Sequence, residues 1–170
     1  MPVFFVWSLK TVNTTIRAMR DSDRDAVTAL LMQLAAHEAE LSTTRATGLA
    51  TAQALLADDS VQAQEHGGAL FVAEQAGTCV GYLALRLGRT GPFVHAALRD
   101  HVYIENIVVD AGQRGTGVGQ LLLAQAERFA REAGCKVLQL GVLIGNEMAL
   151  KAYRRAGYDG IAIDMIKRLD

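Results

Sequence analysis

A glycine-rich segment at residues 114–119 is the strongest chemical signal in this sequence. It reads Arg-Gly-Thr-Gly-Val-Gly, with glycine at every second position after Arg114. The segment follows a strand-like apolar run at 102–109 and opens an amphipathic helix. Free backbone N–H groups and the helix dipole attract anions at such a point, and glycine keeps side chains out of the way. We therefore predict a phosphate-binding loop; the alternative is a tight turn whose glycines serve packing.

Two common nucleotide-binding loops do not fit this segment. A P-loop beginning at Gly112 requires lysine after Gly117, where the sequence has Val118. A dinucleotide fingerprint requires a third glycine where the sequence has Gln120 or Leu122, depending on the starting glycine. Both interpretations are therefore excluded.

Length and composition limit the class of protein. The chain has 170 residues, 17 basic and 18 acidic side chains, a net charge of −1 and 51% hydrophobic residues, as in a globular domain with a full core. This charge balance argues against a nucleic-acid binder, and no apolar run approaches the ~20 residues of a membrane helix. Cys79 and Cys135 are too few for a disulfide scaffold. We therefore expect a soluble, cytoplasmic protein that binds neither nucleic acid nor membrane.

The periodicity of apolar residues predicts the elements that position the loop. Apolar residues between Val27 and Leu34 recur at intervals of three and four, which indicates a first helix. Later helices are expected over residues 49–56 and after Val118 and Asn146. Strands are expected over residues 14–19, 69–74, 80–87, 102–109, 136–144 and 158–169. The order β-α-α-β-β-β-α-β-α-β indicates an α/β protein with a mixed sheet.

Several separated motifs resemble those of one family. Residues 114–119 match the Arg/Gln-x-x-Gly-x-Gly/Ala motif of the GNAT superfamily of acyl-CoA-dependent N-acetyltransferases, and residues 103–109 are similar to its fourth strand. The family's ending, Asn-x-x-Ala-x-x-x-Tyr followed by Gly-Phe/Tyr, is matched by Asn146, Ala149, Tyr153 and residues 156–158. The motifs agree in order and spacing, so the resemblance is specific.

The resemblance covers residues 15–169, with its most specific part at 103–158. One departure is Ala111, where many members have a proline that stiffens the start of the loop. The resemblance implies the family's α/β fold: a mixed, mostly antiparallel sheet with splayed central strands, flanked by helices. It also implies a single N-acetyltransferase domain over residues 1–170, with residues 1–13 as an additional N-terminal segment.

Acetyl-CoA is the co-substrate that the resemblance implies. Its pantetheine arm would bind backbone groups of Ile107, Val108 and Val109 between the splayed strands. Its pyrophosphate would bind the loop amides, those of Arg114, Gly115, Thr116, Gly117, Val118, Gly119 and Gln120. Asn146 would contact the pantetheine or phosphate side, and Ala149 is a further cofactor-binding position.

Acetyl transfer to an amine needs a base for the ammonium proton and an acid for the leaving thiolate. The resemblance implies direct attack, with Tyr153 as the acid and Glu105 as the base. Tyr103 shares a strand face with Glu105 and is a candidate for contact with the substrate or a water chain. The alternatives are that Tyr153 is a packed aromatic residue and that Glu105 faces solvent on an uncovered part of the sheet.

The other candidate side chains give weaker signals. His101 has the chemistry of a base, but its position at the start of a strand favours a surface role. His37, His66 and His95 are scattered without metal-ligand spacing, so no metal site is expected. Cys79 and Cys135 lack the context of a reactive thiolate and are expected to be structural.

The resemblance implies that the acceptor enters beside the first helix pair and the loop between the third and fourth strands, at about residues 37–45 and 87–100, and charge suggests its chemical class. Residues 1–110 hold 8 basic and 12 acidic side chains, whereas residues 111–170 hold 9 and 6. Glu38 and Glu40 follow the apolar stripe of the first helix and, with Glu105, would surround an amine at the cleft. We expect a cationic acceptor: a polyamine-like or aminoglycoside-like small molecule, or a basic peptide end. The alternative is an ordinary solvated helix end.

Two questions remain open in the sequence. Dimers are frequent in the family, and Phe4, Phe5 and Trp7 would offer an apolar contact for a homodimer. The alternative to an enzyme is a non-catalytic GNAT-like module that senses acyl-CoA without turning it over.

Overall fold

A five-stranded sheet organises the part of the chain that the structure, a computed structural model, describes, which is residues 13–169. Its strands, in spatial order, are β1 (Thr14–Ala18), β2 (Ala69–Gln75), β3 (Thr78–Arg89), β4 (Asp100–Val109) and β5 (Val137–Leu140). The helices are α1 (Arg24–Leu41), α2 (Leu49–Glu65), α3 (Val118–Glu132) and α4 (Glu147–Arg155). Neighbouring strands run antiparallel except β4 and β5, which are parallel. This is the mixed α/β sheet flanked by helices that the sequence predicted.

Each face of the sheet packs against helices. On one face α3 buries Val118 and Leu122 against β3 and β4. On the other, α1 and α2 pack against residues that include Tyr82 and Val108. Gly81 makes the close approach of α3 possible, because a Cβ there would lie only 3.1 to 3.2 Å from neighbouring side chains. The apolar stripes read in the sequence therefore form two cores, one on each side of the sheet.

The strands β4 and β5 part after a few residues. β5 pairs with β4 only from His101 to Ile104. Immediately afterwards β4 carries a bulge, because Ala84 of β3 faces Asn106 while Leu85 faces Ile104. Glu105 is thus the extra residue, and a bulge of this kind bends a strand and redirects its side chains. The splayed central strands implied by the resemblance are present, and the bulge lies where they separate.

The predicted last strand over residues 158–169 is wrong. The segment is extended and exposed, and no strand within residues 13–169 pairs with it. Alternating apolar residues identify a segment able to form a strand, but a strand also needs an adjacent edge. The strand predicted over 136–144 is shorter than expected, because β5 ends at Leu140 where β4 diverges.

Two local predictions also need correction. α2 continues to Glu65, well beyond the expected end near residue 56, and it buries Asp59 against the sheet. His101 is buried, not at the surface, and its Nδ1 lies 3.0 Å from the Arg99 carbonyl oxygen. Phe4, Phe5 and Trp7 lie outside the described residues. No helix of residues 13–169 has the length and apolarity needed to span a membrane.

Candidate active site

A cleft of about 270 Å³ opens where β4 and β5 diverge. Its walls come from α1, the second half of β4, the glycine loop, the chain after β5 and α4. The lining residues are Leu34, His37, Glu38, residues 104–109, Arg114, Gly115, Gly119, residues 140–143, Asn146, Met148, Ala149, Ala152 and Tyr153. Residues from five separate parts of the sequence therefore meet at one site.

The glycine loop adopts the conformation that its sequence predicts. Gly115 and Gly117 have φ angles of 77° and 95°, in the left-handed region that favours glycine. Gly117 is the N-cap of α3, and its carbonyl accepts the first helical hydrogen bond, from the Leu121 amide. The amides of residues 117–120 have no acceptor within the described part of the chain. Free amides at a helix N-terminus are able to bind an anion, and Gly115 and Gly119 lie at the cleft wall.

The start of the loop is anchored to α1. Gln33 donates from Nε2 to Asp110 Oδ1 at 2.9 Å and accepts at Oε1 from the Ala111 amide at 3.0 Å. Asp110 in turn accepts from the Gly112 amide at 2.9 Å. Arg114 bends back, with Nε donating to the Val109 carbonyl oxygen at 3.3 Å. These bonds fix the start of the loop at Ala111, where the resemblance led us to expect a proline.

The cleft side of β4 has free backbone groups. β3 pairs with β4 along its whole length, but β5 leaves it at Ile104. Residues 105–109 consequently have no strand partner on the cleft side within the described residues. Peptide groups left unpaired beside a cleft can bind an extended ligand as an additional strand would. Ile107, Val108 and Val109, predicted from the resemblance to hold pantetheine, lie on this edge.

The helix α4 presents the predicted acid to the cleft. Asn146 caps α4 by accepting from the Ala149 amide at 3.1 Å, which leaves its side-chain NH₂ free for other contacts. Tyr153 lies two turns further on and lines the cleft. Burial, with a smaller contribution from Glu38, raises the pKa of Tyr153 to about 12. Its hydroxyl is therefore protonated at neutral pH and can donate a proton.

The predicted base is held in an ion pair. Arg86 of β3 donates from Nε to Glu105 Oε1, while Glu105 Oε2 has no hydrogen-bond partner within the described residues. The guanidinium carbon of Arg86 also lies 4.9 Å from the ring centre of Tyr103. Tyr103 itself lies behind the cleft wall, close to Gly141. Arg86 thus fixes one carboxylate oxygen of Glu105 and leaves the other available.

The wall formed by α1 holds a polar group that the sequence analysis did not select. His37 lines the cleft, and its Nε2 is buried without a hydrogen-bond partner among residues 13–169. Glu38 also lines the cleft, and its carboxylate lies 3.4 Å from Arg45 Nε. Glu40 does not line the cleft; its side chain is 79% exposed and lies 3.9 Å from His37 Nδ1. The structure brings together Glu38, Glu105 and Tyr153, but not Glu40.

A buried carboxylate lies behind this wall. Asp59 of α2 accepts from the Tyr82 hydroxyl at 2.9 Å and from Asn106 Nδ2 at 2.8 Å. Burial raises the pKa of Asp59 to about 6, although both hydrogen bonds favour the charged form. Asn106 follows the bulge at Glu105 and lines the cleft. The hydrogen bonds of Asp59 therefore fix the strand on which the predicted base lies.

Two of these residues gave signals that sequence reasoning missed. Arg86 interrupts an apolar run, as Glu105 does, and two opposite charges in neighbouring predicted strands would have suggested a pair. His37 lies three residues beyond Leu34 on the apolar side of α1, which would have suggested that it points inward. The thiols of Cys79 and Cys135 have pKa values raised by burial, consistent with unreactive side chains.

Comparisons with known proteins agree with this geometry. Streptothricin acetyltransferase of Streptomyces lavendulae is 33% identical over 108 residues, which are 63% of this chain and 53% of that protein. Aminoglycoside N(6')-acetyltransferase type 1 of Stenotrophomonas maltophilia is 32% identical, over 54% of this chain and 60% of its own length. The chain therefore spans little more than half the length of these relatives.

The fold has solved counterparts. An aminoglycoside N-acetyltransferase whose structure was determined in complex with CoA superimposes with a TM-score of 0.68, at 19% identity, over 92% of this chain and 99% of that one. The sequence profile of the Acetyltransferase (GNAT) family matches residues 30–158, which include α1 from Leu30 onward, the glycine loop, both sides of the cleft and α4. The chain belongs to the GNAT acetyltransferase family.

Proposed function

We infer that this protein transfers an acetyl group from acetyl-CoA to the amine of a cationic acceptor. One observation carries the proposal: the N-terminus of α3, the unpaired edge of β4, and the side chains of Glu105 and Tyr153 all meet in one cleft. The first two suit the phosphates and the amide-containing arm of CoA. The other two, Glu105 and Tyr153, suit the transfer itself.

The donor side is supported by the fit of the cleft to CoA. The amides of residues 117–120 hold the pyrophosphate, and the positive charge of Arg114 lies beside them. The free edge of β4 at residues 107–109 binds the pantetheine amides. Asn146 and Ala149 complete the wall on the side of α4. A family member with this fold was solved with CoA bound, which is the same ligand class.

The transfer requires no covalent intermediate with the enzyme. The amine nitrogen attacks the thioester carbonyl carbon, so that a C–N bond forms and the C–S bond breaks. The proton lost by nitrogen passes to the free Oε2 of Glu105, directly or through water, and Tyr153 donates its hydroxyl proton to the leaving sulfur. Tyr153 carries this proton at neutral pH, as a phenol does, and burial moves its pKa further above the ordinary value.

The acceptor side is formed by α1. The carboxylates of Glu38 and Glu105 line the cleft. Each is paired with an arginine, Arg45 and Arg86, through one oxygen, and the other oxygen of each is available to a cationic amine. Relatives at 32% and 33% identity include acetyltransferases named for an aminoglycoside and for streptothricin. We infer a cationic small molecule, with a basic peptide end as the second possibility of the same chemistry.

A cytoplasmic location stays a prediction. It is supported by the two free cysteines, Cys79 and Cys135, since thiols persist in reducing compartments.

The test is release of free CoA thiol from acetyl-CoA in the presence of a panel of amines, aminoglycosides and basic peptides. We expect thiol release with cationic acceptors and an N-acetylated product of matching mass. Binding of CoA without thiol release for any amine would contradict the transferase proposal and support an acyl-CoA-sensing module.

A matched pair of variants tests the phosphate site. Gly117 has a positive φ, so any substitution there strains the backbone. Gly119 lines the cleft without positive φ, and a Cβ there would be 3.7 Å from Val109. Gly119→Val should therefore abolish CoA binding in a folded protein, whereas Leu121→Val on the exposed side of α3 should retain it. Calorimetry with equal affinity in both variants would contradict the assignment of the loop.

A further inference from the structure

Glu105 occupies a point of β4 that the sheet of residues 13–169 does not hold in its regular pairing. As the extra residue of the bulge it has no opposite residue in β3, and β5 pairs with β4 only as far as Ile104. A bulge interrupts the ladder of backbone hydrogen bonds and leaves its extra residue unpaired. Side-chain contacts must therefore determine where the carboxylate of Glu105 lies.

The bulge also turns two consecutive side chains toward the same face of the sheet. Asn106 lies opposite Ala84 and two residues before Val108, and both of these pack in the core formed with α1 and α2. Glu105 reaches Arg86, which follows Ala84 by two residues and so shares that face. In a regular strand, neighbouring side chains would point to opposite faces. A group that fixes Asn106 from this face therefore also restrains Glu105.

Asp59 of α2 is the group that fixes Asn106. Its Oδ1 accepts from Asn106 Nδ2 at 2.8 Å, its Oδ2 accepts from the Tyr82 hydroxyl at 2.9 Å, and the residue is only 3% exposed. Burial at this depth disfavours the charged carboxylate and raises the pKa of Asp59 to about 6 in spite of both bonds. Apolar groups of the same shape can replace such a buried set without loss of stability. Stability alone therefore does not account for the carboxylate.

We propose that Asp59 is a positioning residue for acetyl transfer, which through Asn106 holds the bulge of β4 so that the free oxygen of Glu105 is directed at the amine. Arg86 holds the other oxygen of Glu105 from β3. The base is then restrained at its carboxylate by one residue and at its backbone by another. Asp59 itself takes no part in proton transfer. This inference rests on the proposed role of Glu105 as the base.

Precise placement matters because a base must lie within hydrogen-bond reach of the proton that it removes. A displacement of about 1 Å can lower a rate roughly 100-fold. Asp59→Ala removes the bond to Asn106, and we expect kcat to fall about 10- to 100-fold. The Kd for acetyl-CoA, measured by calorimetry, should stay close to that of the wild type, because Gln33 rather than Asp59 anchors the glycine loop.

Two further variants separate positioning from packing. Asp59→Asn keeps both partners hydrogen-bonded, since an amide accepts from one of them and donates to the other, so it should restore most of kcat. Tyr82→Phe removes the second bond of Asp59 without touching Asn106. It should lower the free energy of unfolding but leave kcat close to that of the wild type. Asn106→Ala breaks the same contact from a half-buried position and replaces Asp59→Ala if that variant does not fold.

A double-variant cycle tests whether Asp59 acts through Glu105. Asp59→Ala should lower kcat in the wild type but have little further effect in Glu105→Gln, where the base is already absent. Full kcat in Asp59→Ala, equal losses of kcat in Asp59→Ala and Tyr82→Phe, or additive losses in the cycle would each overturn the positioning role while Glu105→Gln stays impaired. Full kcat in Glu105→Gln would contradict the proposed base itself, and the role of Asp59 with it.

Discussion

At the scale of single residues, Tyr153 is the predicted acid; it lines the cleft, and its hydroxyl holds its proton at neutral pH. Because burial raises its pKa to about 12, the hydroxyl assists mainly through a hydrogen bond that strengthens as negative charge develops on the leaving sulfur. Tyr153→Phe removes one hydroxyl and almost no volume. We expect kcat to fall about 100-fold or more while the Kd for acetyl-CoA is unchanged.

Tyr158 provides the control for this substitution. It packs against Tyr153, its pKa is also raised to about 12 by burial, and its hydroxyl has no partner among the described residues. Tyr158→Phe should therefore leave kcat close to that of the wild type. Equal effects of the two substitutions would assign Tyr153 to packing.

Glu105 is tested by its dependence on pH. Glu105→Gln keeps the shape of the side chain and a hydrogen-bond acceptor for Arg86, but removes the proton-accepting oxygen. We expect kcat/KM to fall about 100-fold, and the acidic limb of its pH profile to move or vanish. If the profile keeps its shape, the limb reports the substrate amine, and water or another side chain takes the proton.

The sequence alone identified those residues whose role depends only on neighbouring positions in the chain. The loop at residues 114–119 was predictable because positive φ at Gly115 and Gly117 and the free amides of α3 follow from neighbouring positions in the chain. The orphaned nitrogen of His37 and the ion pair of Arg86 with Glu105 were not, because each depends on elements far apart in sequence.

At the scale of elements, Asp59 joins α2 to the two central strands and makes this joint sensitive to pH. Its pKa rises from an ordinary 3.8 to about 6 in the folded protein, so folding takes up a proton between these values. Its contribution to the free energy of unfolding is greatest below about pH 4 and is lost as pH rises through about 6. In the wild type, the free energy of unfolding should therefore fall by about 1–3 kcal/mol between pH 4 and pH 7 because of Asp59. Asp59→Asn should remove this fall, as measured by urea unfolding across the same pH range.

A second carboxylate of α2 isolates the effect. Glu65→Gln changes an exposed residue of the same helix that does not contribute to the raised pKa of Asp59, and it should leave the pH dependence as in the wild type. Asp23 does not interfere, because Arg17 holds its pKa at about 2, and the stability it contributes is lost only as pH falls through that value. Identical slopes for wild type and Asp59→Asn would contradict the interpretation of Asp59.

The sequence predicted the type and order of the helices and strands better than it predicted their lengths. The periodicity of apolar residues and the positions of glycines identified α1 to α4 and the five strands of the sheet, because each of these signals comes from one stretch of the chain. The extent of α2 was underestimated because residues 57–65 carry no apolar periodicity, and the hydrogen bonds of Asp59 across the core cannot be read from the sequence. The end of β5 depends on the bulge in β4, and the fate of residues 158–169 depends on which edge is free.

At the scale of the whole molecule, charge should attract the acceptor. Residues 1–110 carry a net negative charge and residues 111–170 a net positive one, with Glu38 and Glu105 at the cleft. For a cationic acceptor, kcat/KM should fall as salt is added, since salt screens long-range attraction. Glu38→Gln should weaken this dependence.

Asp25→Asn is the matched control, because it removes one negative charge from the exposed start of the same helix. Its salt dependence should remain that of the wild type. A flat salt response, or faster transfer to neutral amines, would end the idea of a cationic acceptor and leave the acetyltransferase proposal intact.

The bond between Gln33 and the start of the glycine loop makes the two substrates interdependent. The helix α1 holds the glycine loop through Gln33 and carries His37 and Glu38 one turn later. One helix therefore contacts both the proposed donor site and the proposed acceptor site. When the donor tightens the loop, the fluctuations of α1 should be damped, and the acceptor then meets a wall that is already ordered. The thermodynamic consequence is reciprocal: each substrate should bind more tightly when the other is present. CoA alone should slow amide exchange across α1, and Gln33→Met should abolish that slowing.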